Sequence, residues 1–515
     1  MFGKVWSACV HGIDAQLIEV EADISSGLPQ VNLVGLPDSA VRESAERVRA
    51  AIRNCNYTFP MERVTINLAP ADVRKEGSSF DLAIAIGLLV SSGQLEAKGF
   101  ERTLLIGELA LDGSLRPVPG ILAMVHHARE KGLEKIVLPA ANLHEALLVE
   151  GLKAYPLSHL NDIRQVSGDL INGINYSQHI INPAPGSIST ASSEPDYADV
   201  NGQQHVKRAM VIAASGLHNI ILVGPPGTGK TMLIRRLPGI LPDMPDSEAL
   251  EVTKIYSVAG KLNGRAELLR RRPFRSPHHT ISGGGLIGGG AIPKPGEVSL
   301  AHRGVLFLDE LPEFSRSVLE VLRQPLEDRS VTIGRARAVF TFPSHFVLAA
   351  SMNPCPCGYY GAETPSHSCT CSPLKIGNYR SKISGPLLDR IDLHVEVPRM
   401  DYASLTSKEA NLSSAAMKEQ VEKAHAIQAR RFHNTGIRFN GELSGSSLRR
   451  HCALKPESED LLRLTFDALG LSVRSHDRIL KIARTIADLS GSRDIETEHL
   501  AEAIQYRSLD KKQEG

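Results

Sequence analysis

With 515 residues, 42% apolar side chains and 58 Lys and Arg against 57 Asp and Glu, the chain has the make-up of a soluble globular protein of two or three domains. A net charge of +1 supplies no global basic field, so any nucleic-acid contact must come from a local patch. The most apolar run, Leu82 to Val90, falls far short of the roughly 18 residues of a membrane span, and the start, Met-Phe-Gly-Lys-Val-Trp, has no apolar signal core. No membrane partner and a cytoplasmic location are expected.

Residues 1–165 alternate strand-like and helix-like segments. Val31-Asn32-Leu33-Val34 and Val64-Thr65-Ile66-Asn67-Leu68 read as strands. Asp38 to Ile52 is amphipathic, with Asp38 or Ser39 placed to cap a helix, and Ile136-Val137-Leu138-Pro139 ends another strand. Residues 166–197 lose apolar periodicity and carry Pro-Ala-Pro-Gly-Ser and Ser-Thr-Ala-Ser-Ser-Glu-Pro, which predicts a linker. Residues 198–400 alternate strands and helices, as a parallel α/β sheet requires. Residues 401–515 read as mostly helical, with Leu480, Ala483, Ile486 and Ala487 at helical spacing.

The strongest chemistry lies in the third segment. The apolar run Ile220-Ile221-Leu222-Val223 leads into Gly224-Pro225-Pro226-Gly227-Thr228-Gly229-Lys230-Thr231, with an apolar helix start behind it. This is the phosphate-binding loop in its required strand–helix setting. Glycines let backbone N–H groups close around a phosphate at a helix N-terminus. Lys230 is expected to reach the β- and γ-phosphates of ATP, and Thr231 to offer its hydroxyl to Mg²⁺. Downstream, Val305-Leu306-Phe307-Leu308 reads as a buried strand ending in Asp309 and Glu310. Asp309 suits the Mg²⁺ shell and Glu310 suits activation of the attacking water.

Asp199-Val200-Asn201-Gly202-Gln203, Ala209-Met210 and this loop together resemble the entry to an AAA+ ATPase core. The long gap between Lys230 and Asp309 holds Phe274 to Thr280 and the glycine-rich stretch Gly283 to Gly290, and resembles the extra hairpin of the Mg-chelatase and MCM branch. Val331 to Phe340 alternates about Gly334 and sits where that branch carries its pre-sensor hairpin. The resemblance implies that Asn353 is the sensor that orients water near the γ-phosphate. It implies that Arg390, in Leu387-Leu388-Asp389-Arg390-Ile391-Asp392, is an arginine finger reaching a neighbour's ATP, the alternative being a structural ion pair with Asp389 or Asp392. Arg474, in Ser472-Val473-Arg474-Ser475, resembles the second sensor, with Arg478 as the other candidate.

In this domain order the whole chain resembles the Mg-chelatase-like YifB/ComM family. The fold class is then an AAA+ core with parallel sheet and helical lid, preceded by an α/β domain like that of Lon protease. The family implies a ring, usually a hexamer, that handles DNA in natural transformation with helicase or branch-migration activity on branched or single-stranded DNA. Arg335 and Arg337 share one face of the predicted hairpin and Lys294 lies in the other insertion, so these cations are the candidate DNA contacts; the alternative is the solvent face of a hairpin. A chelatase-type motor acting on a protein or metallocofactor is the competing reading. Asp488-Leu489-Ser490-Gly491-Ser492 fits the metal-adhesion string of such motors, but it also reads as a helix end.

Cys355, Cys357, Cys369 and Cys371 follow Asn353 as two Cys-x-Cys pairs. Four thiolates can enclose a structural Zn²⁺ and leave no open position for catalysis, with His367 as a substitute ligand. Free thiols or a redox switch are the alternatives. In the first domain, Lys75-Glu76-Gly77-Ser78-Ser79-Phe80-Asp81 resembles the nucleophile segment of Lon proteases, with Ser79 at the serine. The matching base position holds Leu122 where Lon has a lysine. A serine without a base is a poor nucleophile, so a two-layer, Lon-like but non-proteolytic domain is expected.

Overall fold

The computed structural model describes residues 2–174, 195–262, 267–290, 293–335, 338–362, 368–400, 411–507 and 509, with the side chains of Arg335 and Ala338 outside that description. The first domain contains β1 (Phe2–His11), β2 (Asp14–Ser25), β3 (Gln30–Val34), β4 (Arg63–Ala69), β5 (Thr103–Leu105), the short β6 (Glu108–Leu109) and β7 (Leu115–Arg116), β8 (Lys135–Pro139) and β9 (Lys153–Leu157). Seven of these form one mixed sheet in the order β3-β4-β2-β1-β5-β8-β9. The predicted strands and the 38–52 helix are present. Asp38 caps the helix Ser39–Asn54 by accepting the Val41 N–H at 2.8 Å.

Helices cover both faces of this sheet, which corrects the two-layer expectation. Leu105 packs with Val48, Leu82 and Ile86 on one face, whereas Leu104 and Ile106 pack with Ile121, Leu122 and Val125 on the other. Adjacent strand residues point to opposite faces, so three consecutive buried apolar residues demand two covers. The helix Ile163–Asn172 continues past the predicted domain boundary because Val166 and Leu170 are buried.

The second domain holds β10 (Ile220–Val223), β11 (Phe274–Arg275), β12 (Gly288–Gly289), β13 (Lys294–Pro295), β14 (Val305–Leu308), β15 (Ser330–Arg335), β16 (Ala338–Pro343), β17 (Val347–Met352) and β18 (Leu393–Glu396). Five form a parallel sheet, β11-β14-β17-β10-β18. Every residue of β10, β14 and β17 is buried, as expected of parallel strands covered on both faces. β15 and β16 form the predicted hairpin. The stretch Gly283–Ile287, expected as loop, is a helical turn capped by Ser282, and only β12 and β13 make the small hairpin. Leu286 is buried with Phe340 and Phe342, and that packing fixes the turn.

The described part of 401–515 is helical. The helix Val473–Leu489 buries Ile479, Ile482, Ala483 and Ile486 in the same core as the helix Gln204–Gly216, which precedes β10. The lid and the nucleotide strand therefore share one core. The first domain docks on the second at two places. The helix Asp246–Val258 lies on the 121–130 helix, where the Gly120 N–H donates to Ser257 O at 3.1 Å and Ser257 also hydrogen-bonds Glu145. At the other place the turn between β1 and β2 meets β16, with His11 and Phe340 rings 4.9 Å apart. Among the described residues no helix is long and apolar enough to cross a membrane.

Candidate nucleotide-binding site and cysteine cluster

β10 ends between β17 and β18, and Gly224 turns the chain out of the sheet. A side chain at Gly224 would place Cβ 2.2 Å from the Val397 carbonyl oxygen, so the backbone passes only as glycine. Lys230 is buried and donates to Gly224 O at 2.6 Å, Pro225 O at 2.8 Å and Asn353 Oδ1 at 3.3 Å. Burial lowers its pKa, and Asp309 and Glu310 partly oppose the shift. Thr228 closes the loop by donating to Pro225 O at 2.9 Å.

The cation shell is assembled beside it. The Thr231 hydroxyl donates to Asp309 Oδ2 at 2.9 Å, and Ser351 donates to Asp309 Oδ1. A threonine hydroxyl on a carboxylate at the lysine end of the loop is the donor set that Mg²⁺ takes with a nucleotide. Glu310 is exposed, and its φ of +53° places it in the left-handed region that non-glycine residues rarely occupy. Its N–H donates to Ser351 Oγ at 3.2 Å. Ser351 thus orders both carboxylate positions, a role the motif reading missed. The clue was present: a buried hydroxyl in the otherwise apolar strand Val347–Met352 needs a partner.

The two arginines lie elsewhere. The register pairs Ile220 with Leu393 and Val223 with Glu396, so residues before Leu393 sit at the opposite end of β10 from Gly224. The Asn219 side chain donates to Arg390 O at 2.9 Å, and Asn219 precedes the loop by a strand of about 13 Å. The Arg390 side chain is 4% exposed and paired with Glu327, not with Asp389 or Asp392. Asp392 instead takes Arg478 and the Asn219 N–H, while Asp389 lies 3.9 Å from Arg474. Arg474 is 58% exposed and close enough to lower the pKa of Arg390, after the larger effect of burial. Lys230, Thr231, Asp309, Glu310 and Asn353 are brought together; Arg390 and Arg474 form a second group at the far end of the sheet.

The Sγ atoms of Cys355, Cys357, Cys369 and Cys371 all lie within 4.8 Å of one another, with Cys355–Cys357 at 3.3 Å, Cys355–Cys369 at 3.8 Å and Cys357–Cys369 at 3.6 Å. A tetrahedral ion with bonds of about 2.3 Å needs sulfurs about 3.8 Å apart, so the cluster fits Zn²⁺. The Cys357 thiol is pulled down to about 6, first by the Tyr359 N–H. His367 lies outside the described residues. The turn Cys355–Gly358 rests on the phosphate loop: a Cβ at Gly358 would come 2.6 Å from Pro226 Cδ.

Lys294 is exposed in β13, and Gly288 beside it approaches Ile333 of the β15–β16 hairpin, so the two insertions lie together. The backbone of Arg335 ends β15, but its side chain and all of Arg337 lie outside the described residues. Asp488 does not belong to a metal string. It is buried and takes Arg431, Arg484 and Asn440. Leu122 is also buried, and its N–H donates to Glu145 at 3.0 Å.

A parallel sheet with this loop, this carboxylate pair and Asn353 beside the lysine defines an AAA+ P-loop ATPase that works with ATP and Mg²⁺. The chain matches the magnesium chelatase subunit ChlI family over residues 196–405, its ChlI subunit domain over 20–142 and its C-terminal domain over 411–507. It is 44% identical to competence protein ComM of Haemophilus influenzae over 98% of this chain and 97% of that one. It is 43% identical to the uncharacterized protein YifB of Escherichia coli over 97% and 96% of the two chains. Lon protease 2 of Bacillus subtilis is 30% identical over 27% of this chain and 26% of its own. The chain belongs to the YifB/ComM-type, Mg-chelatase-like AAA+ family.

Proposed function

We propose that the chain is the subunit of a ring-shaped, ATP-driven DNA motor, a helicase or branch-migration translocase serving DNA uptake and recombination. The similarity to a competence protein supports the process. One observation carries the mechanism. β17 carries Ser351, on Asp309, and leads straight into Asn353, on Lys230, and the chain reaches β17 directly from the β15–β16 hairpin. Val331, Ile333, Phe340 and Phe342 root that hairpin in the same core as Leu348 and Ala350. A displacement of Asn353 as ATP is cleaved is thereby passed along one strand to the segment that carries Arg335 and Arg337. Six copies would present about a dozen such cations to a polyanion, enough for strong salt-dependent binding. Arg390 and Arg474 would complete the site of the next subunit, and a structural Zn²⁺ on the four cysteines would brace the loop they touch.

The test is the ATPase rate against single-stranded, duplex, forked and junction DNA. Branched DNA is expected to stimulate the rate, and the variant Arg335→Ala with Arg337→Ala to lose the stimulation. Equal stimulation in that variant would sink the hairpin assignment.

A further inference from the structure

The lid carries a basic cavity that the ATPase does not use. It has a volume of about 680 Å³ and is walled by Arg430 and Arg431, Arg450 and His451, Arg484 and Arg493. The first pair ends the helix Ser414–Arg431, the second pair ends the helix Gly445–His451, and Arg493 lies in the turn after the helix Val473–Leu489. Arg484 stands ten residues along that last helix from Arg474, about 15 Å away. The cavity is therefore separate from the second arginine group described above.

Its charge is not balanced. Asp488, buried behind the wall, is shared by Arg431 (2.7 Å) and Arg484 (3.0 Å). Asp494 is the only carboxylate among the lining residues themselves. Arg430, Arg450 and Arg493 are exposed, and none of them pairs with a carboxylate among the described residues. Five guanidinium groups against two carboxylates leave a local charge of +3. This contrasts with the other arginine-rich cavity, around residues 235–275, where Arg236, Arg270, Arg272 and Arg275 are paired with Asp199, Asp246, Glu248 and Glu297. Arg484 is 3% exposed; it pins the 491–494 turn by donating to Ser492 O and Arg493 O at 2.8 Å each, and its Nε has no partner among the described residues. His451 reports the same field: burial first, then Arg431, Arg450 and Arg484, lower its pKa.

We infer that this cavity binds the phosphodiester backbone of nucleic acid, as a second contact outside the hairpin. Guanidinium forks match phosphate oxygens two at a time. The walls are helix C-termini and a turn, which present carbonyls rather than an N–H cradle. A compact free phosphate therefore lacks the nest it takes at a helix N-terminus. Arginines on three separate elements suit successive phosphates of a strand instead, without reading bases. The inference rests on the DNA-motor reading for the identity of the polymer.

The test is fluorescence anisotropy of labelled oligothymidylate with the full-length protein and a non-hydrolysed ATP analogue, across roughly 50–200 mM salt. Arg450→Ala with Arg493→Ala is expected to weaken binding about tenfold or more and to flatten the log–log salt slope by about 1.4, the share of two phosphate contacts on a single strand. The DNA-free ATPase rate should stay at the wild-type value. Arg450→Lys with Arg493→Lys should keep the slope while losing part of the affinity. An unchanged affinity and slope in the alanine variant, with binding lost in Arg335→Ala/Arg337→Ala, would overturn this site and leave the motor reading standing. No binding by the wild-type protein would overturn both.

Discussion

The contact between the cysteine turn and the phosphate loop can be tested with one methyl group and an internal control. Gly358 and Gly361 have φ of +88° and +71°, so alanine at either pays the left-handed cost of about 1–2 kcal/mol. They differ in what the methyl meets. At Gly361 it meets no atom of the described residues within 4 Å; at Gly358 it lies 2.6 Å from Pro226 Cδ and 3.2 Å from Cγ, well inside the 3.4 Å at which ordinary contact begins. The proline ring is part of the backbone and cannot rotate away, so the phosphate loop must shift. Overpacking of this kind costs about 1–3 kcal/mol. If ATP binding has to restore the loop, Gly358→Ala raises the Kd by about 5- to 150-fold and Gly361→Ala leaves it unchanged. Titration with a fluorescent ATP analogue and Mg²⁺ reads both. Equal Kd values for the two variants would show that the cysteine turn does not support the loop.

Glu310→Gln should bind ATP as the wild type does and lose about 10²–10⁴-fold in turnover, since only the proton acceptor is removed; rapid hydrolysis by this variant would name the wrong base. Arg390→Ala and Lys230→Ala proteins should each be inactive, yet a one-to-one mixture should recover about a quarter of the wild-type rate, because half the sites keep Lys230 and half of those face an intact Arg390. A mixture as inactive as its components would leave Arg390 as a structural ion pair with Glu327. His218 is fully buried, bonded to Thr485 of the lid at 2.8 Å, and burial pushes its pKa down to about 4. The unfolded chain therefore binds more protons between pH 6.5 and pH 4, and stability should fall by up to about 3 kcal/mol as pH drops through that window. Chemical unfolding midpoints that stay flat over the same range would contradict a neutral buried imidazole.

What could be read from the sequence was what short-range chemistry dictates. The phosphate loop was legible because a fixed spacing must follow an apolar strand, and β10, β14 and β17 were legible as unbroken apolar runs. Asp38 was legible as a cap because its side chain bonds an N–H group three residues away. Pairings across long separations were not. Nothing in the sequence joins Arg390 to Glu327, 63 residues earlier, or Glu145 to Ser257, 112 residues later. The second cover on the N-terminal sheet was also hidden, since Leu104-Leu105-Ile106 reads equally well as a strand buried on one face or on two.

The far-end placement of Arg390 and Arg474 also bears on how the first domain takes part. That domain is seated on the helix Asp246–Val258 and on β16. The 246–258 helix uses Ser257 to hold two segments of the first domain, its carbonyl accepting from the Gly120 N–H and its hydroxyl donating to Glu145. The β16 contact lies on the strand that continues into β17 and the nucleotide. In the proposed motor, a movement passed from Asn353 along β17 and β16 would meet the first domain at His11. The first domain is thus tied to this core by hydrogen bonds at Ser257 and by a ring contact at His11, neither of which involves Ser79.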